Sequence, residues 1–329
     1  EFRLPTQYCI SVFHFSLSTH KQIKFIMSQA FTESVKTSLG PNATPRAKKL
    51  IASLVQHVHD FARENHLTTE DWLWGVDFIN RIGQMSDSRR NEGILVCDII
   101  GLETLVDALT NESEQSNHTS SAILGPFYLP DSPVYPNGGS IVQKAIPTDV
   151  KCFVRGKVTD TEGKPLGGAQ LEVWQCNSAG FYSQQADHDG PEFNLRGTFI
   201  TDDEGNYSFE CLRPTLYPIP YDGPAGDLLK IMDRHPNRPS HIHWRVSHPG
   251  YHTLITQIYD AECPYTNNDS VYAVKDDIIV HFEKVDNKDK DLVGKVEYKL
   301  DYDISLATES SIQEARAAAK ARQDAEIKL

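Results

Sequence analysis

The spacing of apolar residues changes period once along this chain, and that change constrains the fold more than any other feature. From Thr44-Pro-Arg-Ala to about Leu109 they recur at helical spacing; beyond a Ser-, Asn-, Gly- and Pro-rich stretch from Asn111 to Pro136 they alternate. The first part must pack helices and the second must pack sheets. Thr44 followed by Pro45 supplies an N-cap with proline at the first helical position. The spacing predicts three helices. The first carries Ile51, Leu54, Val55, Val58 and Phe61; the second opens at Thr68-Thr-Glu-Asp and buries Trp72, Val76, Ile79 and Ile82; the third carries Leu95, Ile99, Leu102, Val106 and Leu109.

Strands are expected at Lys151-Cys-Phe-Val, Ala169-Gln-Leu-Glu-Val-Trp, Gly197-Thr-Phe-Ile, Tyr207-Ser-Phe-Glu, His241-Ile-His-Trp-Arg-Val, Thr253-Leu-Ile-Thr-Gln-Ile-Tyr, Asp277-Ile-Ile-Val-His-Phe and Val296-Glu-Tyr-Lys-Leu. Short strands between turns predict a β-sandwich. The expected fold is therefore mainly β, with an α-helical N-terminal domain at 27–115 and a β-sandwich of mixed or antiparallel strands at 116–308. The Ala-rich tail, 309–329, reads as a terminal helix with Ser311 and Glu314 as its capping box. Residues 1–26 read as a leader or cloning-derived extension with Met27 as the start. Ile10-Ser-Val-Phe-His-Phe-Ser-Leu-Ser is too interrupted by polar residues for the apolar region of a signal peptide.

Composition excludes some classes of function. Lys+Arg 32 against Asp+Glu 45 leaves a net charge of -13 and no basic run to track a phosphate backbone, so no nucleic-acid partner is expected. No segment offers about 18 uninterrupted apolar residues, so no membrane span is expected. The cysteines are scattered without a C-x-x-C pair, as suits small core hydrophobes in a reduced cytoplasm.

His241 and His243, in Arg238-Pro-Ser-His-Ile-His-Trp-Arg-Val, fall on one face of a strand. That is the geometry of two metal ligands, and also of two edge histidines beside a polar face. Tyr182 in Ala-Gly-Phe-Tyr-Ser and Tyr217 in Leu-Tyr-Pro-Ile-Pro stand beside chain-bending Gly or Pro. Phenolate is a hard, strongly donating anion suited to a trivalent metal, so the combination points to Fe(III). A zinc hydrolase using both histidines and a non-catalytic β-sandwich binding module are the competing readings; no carboxylate falls at matching spacing for the first. Asp98 lies within the apolar stripe of the third helix, so its carboxylate should point inward, either into a salt bridge or into a pocket.

Gly125-Pro-Phe-Tyr, Arg155-Gly-Lys-Val, Val173-Trp-Gln-Cys-Asn, Gly180-Phe-Tyr-Ser, Leu195-Arg-Gly-Thr, Asp203-x-Gly-x-Tyr-x-Phe, Tyr217-Pro-Ile-Pro-x-Asp-Gly-Pro and Arg238-Pro-x-His-Ile-His stand in one order across roughly 43–300. In this the chain resembles the intradiol ring-cleavage dioxygenases, most of all their hydroxyquinol-cleaving members, with the catechol-cleaving members as the near alternative. The resemblance implies one Fe(III) per chain held by Tyr182, Tyr217, His241 and His243, with Tyr217 and His243 axial. It implies catalytic roles for Tyr217, Arg238 and Gln257, and a substrate pocket lined by Leu95, Asp98, Leu124, Gly125, Pro126, Phe127, Ile219 and Pro220. The implied partners are a small aromatic diol or triol and O2. A homodimer joined through the helical domain, with a bound lipid in that interface, is also implied. Cys211, Tyr221 and Val96-Cys-Asp-Ile depart from the family's usual pattern.

Overall fold

A computed structural model describes residues 19–111, 117–185 and 190–326; residues 1–18 of the expected leader and 112–116 of the expected boundary lie outside the described residues. Contacts divide the chain into two units, Glu1–Asp77 and Phe78–Leu329, parted inside a helix.

The first unit is helical: α1 (Thr19–Ile26), α2 (Gln29–Lys36), α3 (Pro45–Glu64) and the first half of α4 (Thr69–Met85). The expected caps form. Thr44 Oγ1 accepts the Ala47 N–H at 3.1 Å, and at α4 the Asp71 N–H donates to Thr68 Oγ1 at 3.2 Å while the Thr68 N–H donates to Asp71 Oδ2 at 2.9 Å. Against α3, α2 stacks Phe31 on His59 at 5.6 Å and Thr32 accepts from Arg63 at 3.0 Å. The expected burial of the second helix does not occur, since Trp72 and Ile79 are 60% and 67% exposed. Amphipathic spacing identifies a face that favours a partner, and nothing in the spacing says which element covers it.

In the second unit, the expected third helix is two helices, α5 (Glu92–Ile99) and α6 (Leu102–Asn111). Gly101 between them adopts φ +71, and its N–H donates to Asp98 O at 2.9 Å, closing α5. A Cβ there would also meet the Tyr272 ring at 3.4 Å. Gly101→Ala is therefore expected to lower stability by about 1–2 kcal/mol, read by urea unfolding.

The strands are β1 (Lys151–Asp160), β2 (Gln170–Trp174), β3 (Arg196–Ile200), β4 (Asn206–Leu212), β5 (Tyr217–Pro218), β6 (Asn237–Arg238), β7 (His241–Ser247), β8 (Leu254–Asp260), β9 (Ile279–Val280), β10 (Glu283–Lys284), β11 (Tyr298–Asp301) and β12 (Ile304–Leu306), with α7 (Pro224–Ile231) after β5 and α8 (Glu309–Glu326) at the end. One sheet runs β10-β11-β1-β12 with β4 also on β1; the other runs β3-β2-β7-β8-β9; β5 and β6 pair separately. Pairing is mixed, parallel for β1 with β11 and β12 and for β8 with β9. Val154, Val158 and Phe209 of the first sheet and Leu171, Val173, Ile242, Trp244 and Ile258 of the second share one buried cluster. This is the expected sandwich.

Two local expectations need correction. The strand expected from Asp277 is a 3-10 turn at Asp276–Ile278 followed by the two residues of β9. The final helix is capped by Thr308, whose Oγ1 accepts the Ser311 N–H at 3.2 Å; Ser311 itself lies in the first turn. Among the described residues, no helix is long and apolar enough to cross a membrane.

The period of two in β7 positions the site. Ile242, Trp244 and Val246 face the inter-sheet core, so His241 and His243 point from the other face of the sheet. There a second buried cluster gathers Leu95 and Ile99 of α5, Phe127, Trp174, Tyr182, Tyr217, Ile219, and Ala225 and Leu229 of α7.

Candidate metal centre

Four groups distant in sequence converge on that face. Tyr182 Oη lies 3.0 Å from His243 Nε2, 3.3 Å from Tyr217 Oη and 3.4 Å from His241 Nε2, and the two Nε2 atoms are 3.1 Å apart. All four residues are buried. The loop carrying Tyr182 passes close to β5 because Gly180 has no side chain: at φ +86, a Cβ would stand 3.0 Å from Tyr217 Cβ.

The protonation pattern suits a cation. His241 Nδ1 lies 2.6 Å from Pro239 O, to which it must donate, so Nε2 presents a lone pair toward the other donors. Burial, with the Arg238 charge, holds His241 well below its ordinary pKa; burial, with His241 and Arg238, does the same for His243. Both imidazoles are neutral. Burial drives the Tyr182 phenol well above its ordinary range and pushes Tyr217 up to about 12, so only a strong local positive charge would ionise them.

Donors sharing one ion at bonds of about 2.0–2.1 Å should stand about 2.9–3.5 Å from their neighbours. The separations of 3.0–3.4 Å fall in that window. His243 is held by stacking on Trp174, with centroids 4.8 Å apart and planes 9° apart; its Nδ1 is buried without a hydrogen-bond partner. Among the described residues no group of three or more His, Cys, Asp or Glu is placed to hold a metal, so the phenols are integral to this donor set. The residues fit a hard trivalent ion.

Around the donors runs a buried network. Arg238, paired with Tyr217 across β5 and β6, donates to Asp269 Oδ1 at 3.2 Å and Oδ2 at 3.1 Å, to Gln257 Oε1 at 2.8 Å, to Tyr259 Oη at 2.9 Å and toward His241 Nε2 at 3.2 Å. Gln257 Nε2 donates to Ile123 O at 2.7 Å, and its Oε1 also accepts from Tyr259 at 2.6 Å. The β7–β8 register sets this up by placing His241 opposite Tyr259 and His243 opposite Gln257.

Most of the expected pocket residues collect at the same place. Leu95, Phe127 and Ile219 belong to the cluster that contains Tyr182 and Tyr217, with Leu124 packed against it. Phe127 stacks on Tyr182 at 4.6 Å, and a Cβ on Gly125 would stand 3.5 Å from His243 Cε1. Pro126 lines a cavity of about 230 Å³ with Leu124, Gly125, Asn91 and Ile94. Pro220 is half-buried in the segment after Ile219, and no contact to the donors marks it. Asp98 is 2% exposed with Oδ1 unpartnered; burial first, then Glu103, raises its pKa to about 9 against the opposing pull of Arg238.

Sequence reasoning missed Tyr259, Asp269, Trp174, Arg196 and Glu103 as parts of this site. Tyr259 was readable, being two residues past Gln257 on one strand face. Buried Arg196 donates to Ser183 Oγ at 2.7 Å and to Gln184, and its guanidinium lies 6.0 Å from the Tyr182 ring centroid. Its motif, Leu195-Arg-Gly-Thr, carried no sign of that task.

The family models described as "Dioxygenase" and "Catechol dioxygenase N terminus" match residues 123–308 and 44–118. An intradiol ring-cleavage dioxygenase of Aspergillus niger is 43% identical over 84% of this chain and 87% of its own length. A hydroxyquinol 1,2-dioxygenase of Rhizobium is 38% identical over 80% of this chain and 88% of its own. Among solved structures, a hydroxyquinol 1,2-dioxygenase from Pseudomonas putida superposes with a TM-score of 0.77 at 34% identity, covering 88% of this chain and 100% of that one.

Proposed function

We propose, for a chain that belongs to the intradiol ring-cleavage dioxygenases, that its reaction is cleavage of hydroxyquinol (benzene-1,2,4-triol) by O2. Opening the ring between the neighbouring hydroxylated carbons gives 3-hydroxy-cis,cis-muconate, which tautomerises to maleylacetate. The unpartnered, buried Asp98 Oδ1 carries the choice of substrate. It can accept a hydrogen bond from a third ring hydroxyl, which catechol lacks. The names of the Rhizobium and Pseudomonas relatives support the same choice.

Tyr182, Tyr217, His241 and His243 are the residues we assign to Fe(III), one per chain. Bound there, ferric iron would supply Lewis acidity and a template that activates the diol ring toward O2. The protein does the rest. Tyr217, whose buried phenol holds its proton up to about 12, is a strong base as phenolate and can take a diol proton at Oη. Arg238 keeps its charge at any working pH and aims it at developing negative charge on the substrate; Gln257, fixed by Ile123 O and Tyr259, orients Arg238. Leu95, Phe127 and Ile219, with Leu124, form the apolar wall that excludes water.

Residues 27–115 are assigned to dimerisation. The apolar residues exposed on α3 and the first half of α4, including Leu54, Phe61 and Trp72, are the face a second copy and a lipid chain would cover. The thiol state of Cys152, Cys176, Cys211 and Cys263 supports a cytoplasmic setting.

Oxygen uptake with hydroxyquinol, catechol and pyrogallol tests the substrate. Hydroxyquinol should give the highest kcat/KM; catechol in first place would favour a catechol 1,2-dioxygenase, and no uptake would leave a binding module. Asp98→Ala should lower kcat/KM for hydroxyquinol over that for catechol by about 10-fold, the value of one buried hydrogen bond of about 1.5 kcal/mol. An equal loss on both substrates would leave Asp98 with a structural role.

A further inference from the structure

Glu92 opens α5, the helix of Leu95 and Asp98, and is 0% exposed. Its Oε1 accepts the Ala225 N–H at 2.9 Å, one of the donors left over in the first turn of α7, where a negative charge is favoured. Its Oε2 accepts from Arg90 Nε at 2.8 Å, and Arg90 Nη1 donates to Asp222 Oδ1 at 2.7 Å. Asp222 and Ala225 belong to the turn that follows Ile219 and Pro220. These contacts close a ring between the start of α5 and the turn into α7. Asp87 Oδ1 fixes the near side by accepting the Arg89 and Arg90 N–H groups at 2.7 and 2.9 Å. Gly223 lies against the ring: a Cβ there would stand 2.5 Å from Glu92 Oε1, 2.6 Å from Met85 Sδ and 2.9 Å from Arg90 Nη2. Its φ of -126 is open to any residue, so the packed side chains, not the backbone, demand glycine.

Arg90 Nη2 is buried without a hydrogen-bond partner, a cost that the apolar packing of α5 on α7 through Leu95, Ile99, Ala225 and Leu229 does not require. We infer that Glu92 is a positioning residue for substrate selection: with Arg90 and Asp222 it clasps α5 to the turn after Ile219 and Pro220, and so sets where Asp98 stands relative to a ring lying against that wall. This rests on the assignment of Asp98 to the third hydroxyl and of Ile219 and Pro220 to the pocket. The helix transmits the effect. Glu92, Leu95, Asp98 and Ile99 are the buried positions of α5, so a shift at its first turn carries Asp98 along. A hydrogen bond to Asp98 Oδ1 tolerates a spread of only about 0.5 Å in distance, which apolar contacts to catechol exceed without loss of kind. A loosened clasp therefore costs hydroxyquinol more than catechol.

The test uses the full-length, metal-loaded protein in a double-mutant cycle. Glu92→Gln fills the same space but turns a donor toward Arg90 Nε, and Gly223→Ala pushes the flexible ends of Glu92 and Arg90 out of place. Each should raise KM for hydroxyquinol and lower the kcat/KM ratio of hydroxyquinol over catechol by about 3- to 10-fold, with iron content unchanged. In an Asp98→Ala background neither should lower the ratio further, because the bond they position is already gone. A role confined to stability would move the urea midpoint and leave the ratio alone. A wild-type ratio in both variants, or an undiminished fall in the Asp98→Ala background, would overturn the inference. Failure of the underlying assignment reads differently: Asp98→Ala alone would leave the ratio unchanged, and the inference would fall with it.

Discussion

Tyr182→Phe is expected to yield a protein that is colourless and binds iron at least about 100-fold more weakly, because loss of an outer-sphere partner alone costs about 10–100-fold in metal affinity and here a donor itself is removed. The prediction follows from position. Tyr182 Oη lies within 3.4 Å of each of the other three donors, so its deletion opens the set. Phenylalanine keeps the stack on Phe127 and the apolar packing, so the fold should survive. Iron content and the visible phenolate-to-ferric absorption of wild type and variant, purified side by side, measure it. Retained colour and iron would remove Tyr182 from the donor set.

Asp269→Ala should cost about 3–5 kcal/mol of stability, the scale for stranding one member of a buried ion pair. Asp269 holds Arg238 at 3.1 Å with both side chains almost fully buried, and it also accepts the Val271 and Ala273 N–H groups at 3.3 and 3.0 Å. Replacing both partners with apolar residues, Arg238→Met with Asp269→Leu, should recover part of the loss, because no charge is then left buried. Urea unfolding of the three proteins checks this. A loss for Asp269→Ala near the surface-pair scale of about 0–1 kcal/mol would mean that water or another group satisfies Arg238.

The parts of the site legible in the sequence were those written in local pattern. The period of two put His241 and His243 on one face, and Thr44-Pro45 marked the start of α3 where the cap forms. The placement of Asp98 in the apolar stripe of its helix foretold its burial. What the pattern could not carry was pairing at long range. Asp269 reaches Arg238 across 31 residues, and Gln257 Nε2 finds its acceptor 134 residues upstream. Nothing in the local chemistry of those residues announces either partner. The break at Gly101 was hidden for another reason: a glycine inside an apolar helical repeat is tolerated, so only its left-handed backbone reveals that α5 ends there. The exposed face of α4 shows the same limit, since spacing distinguishes an apolar face from a polar one without naming what covers it.

Two phenols and two imidazoles, in the proposed assignment, bind a single ferric ion. Metal analysis of the purified wild-type protein, taken with its visible spectrum before and after anaerobic addition of hydroxyquinol, tests it most directly. About one iron per chain is expected, with a phenolate-to-ferric band that changes when the triol enters the site. A colourless protein loaded with zinc, or an iron protein whose band is indifferent to the triol, would contradict it.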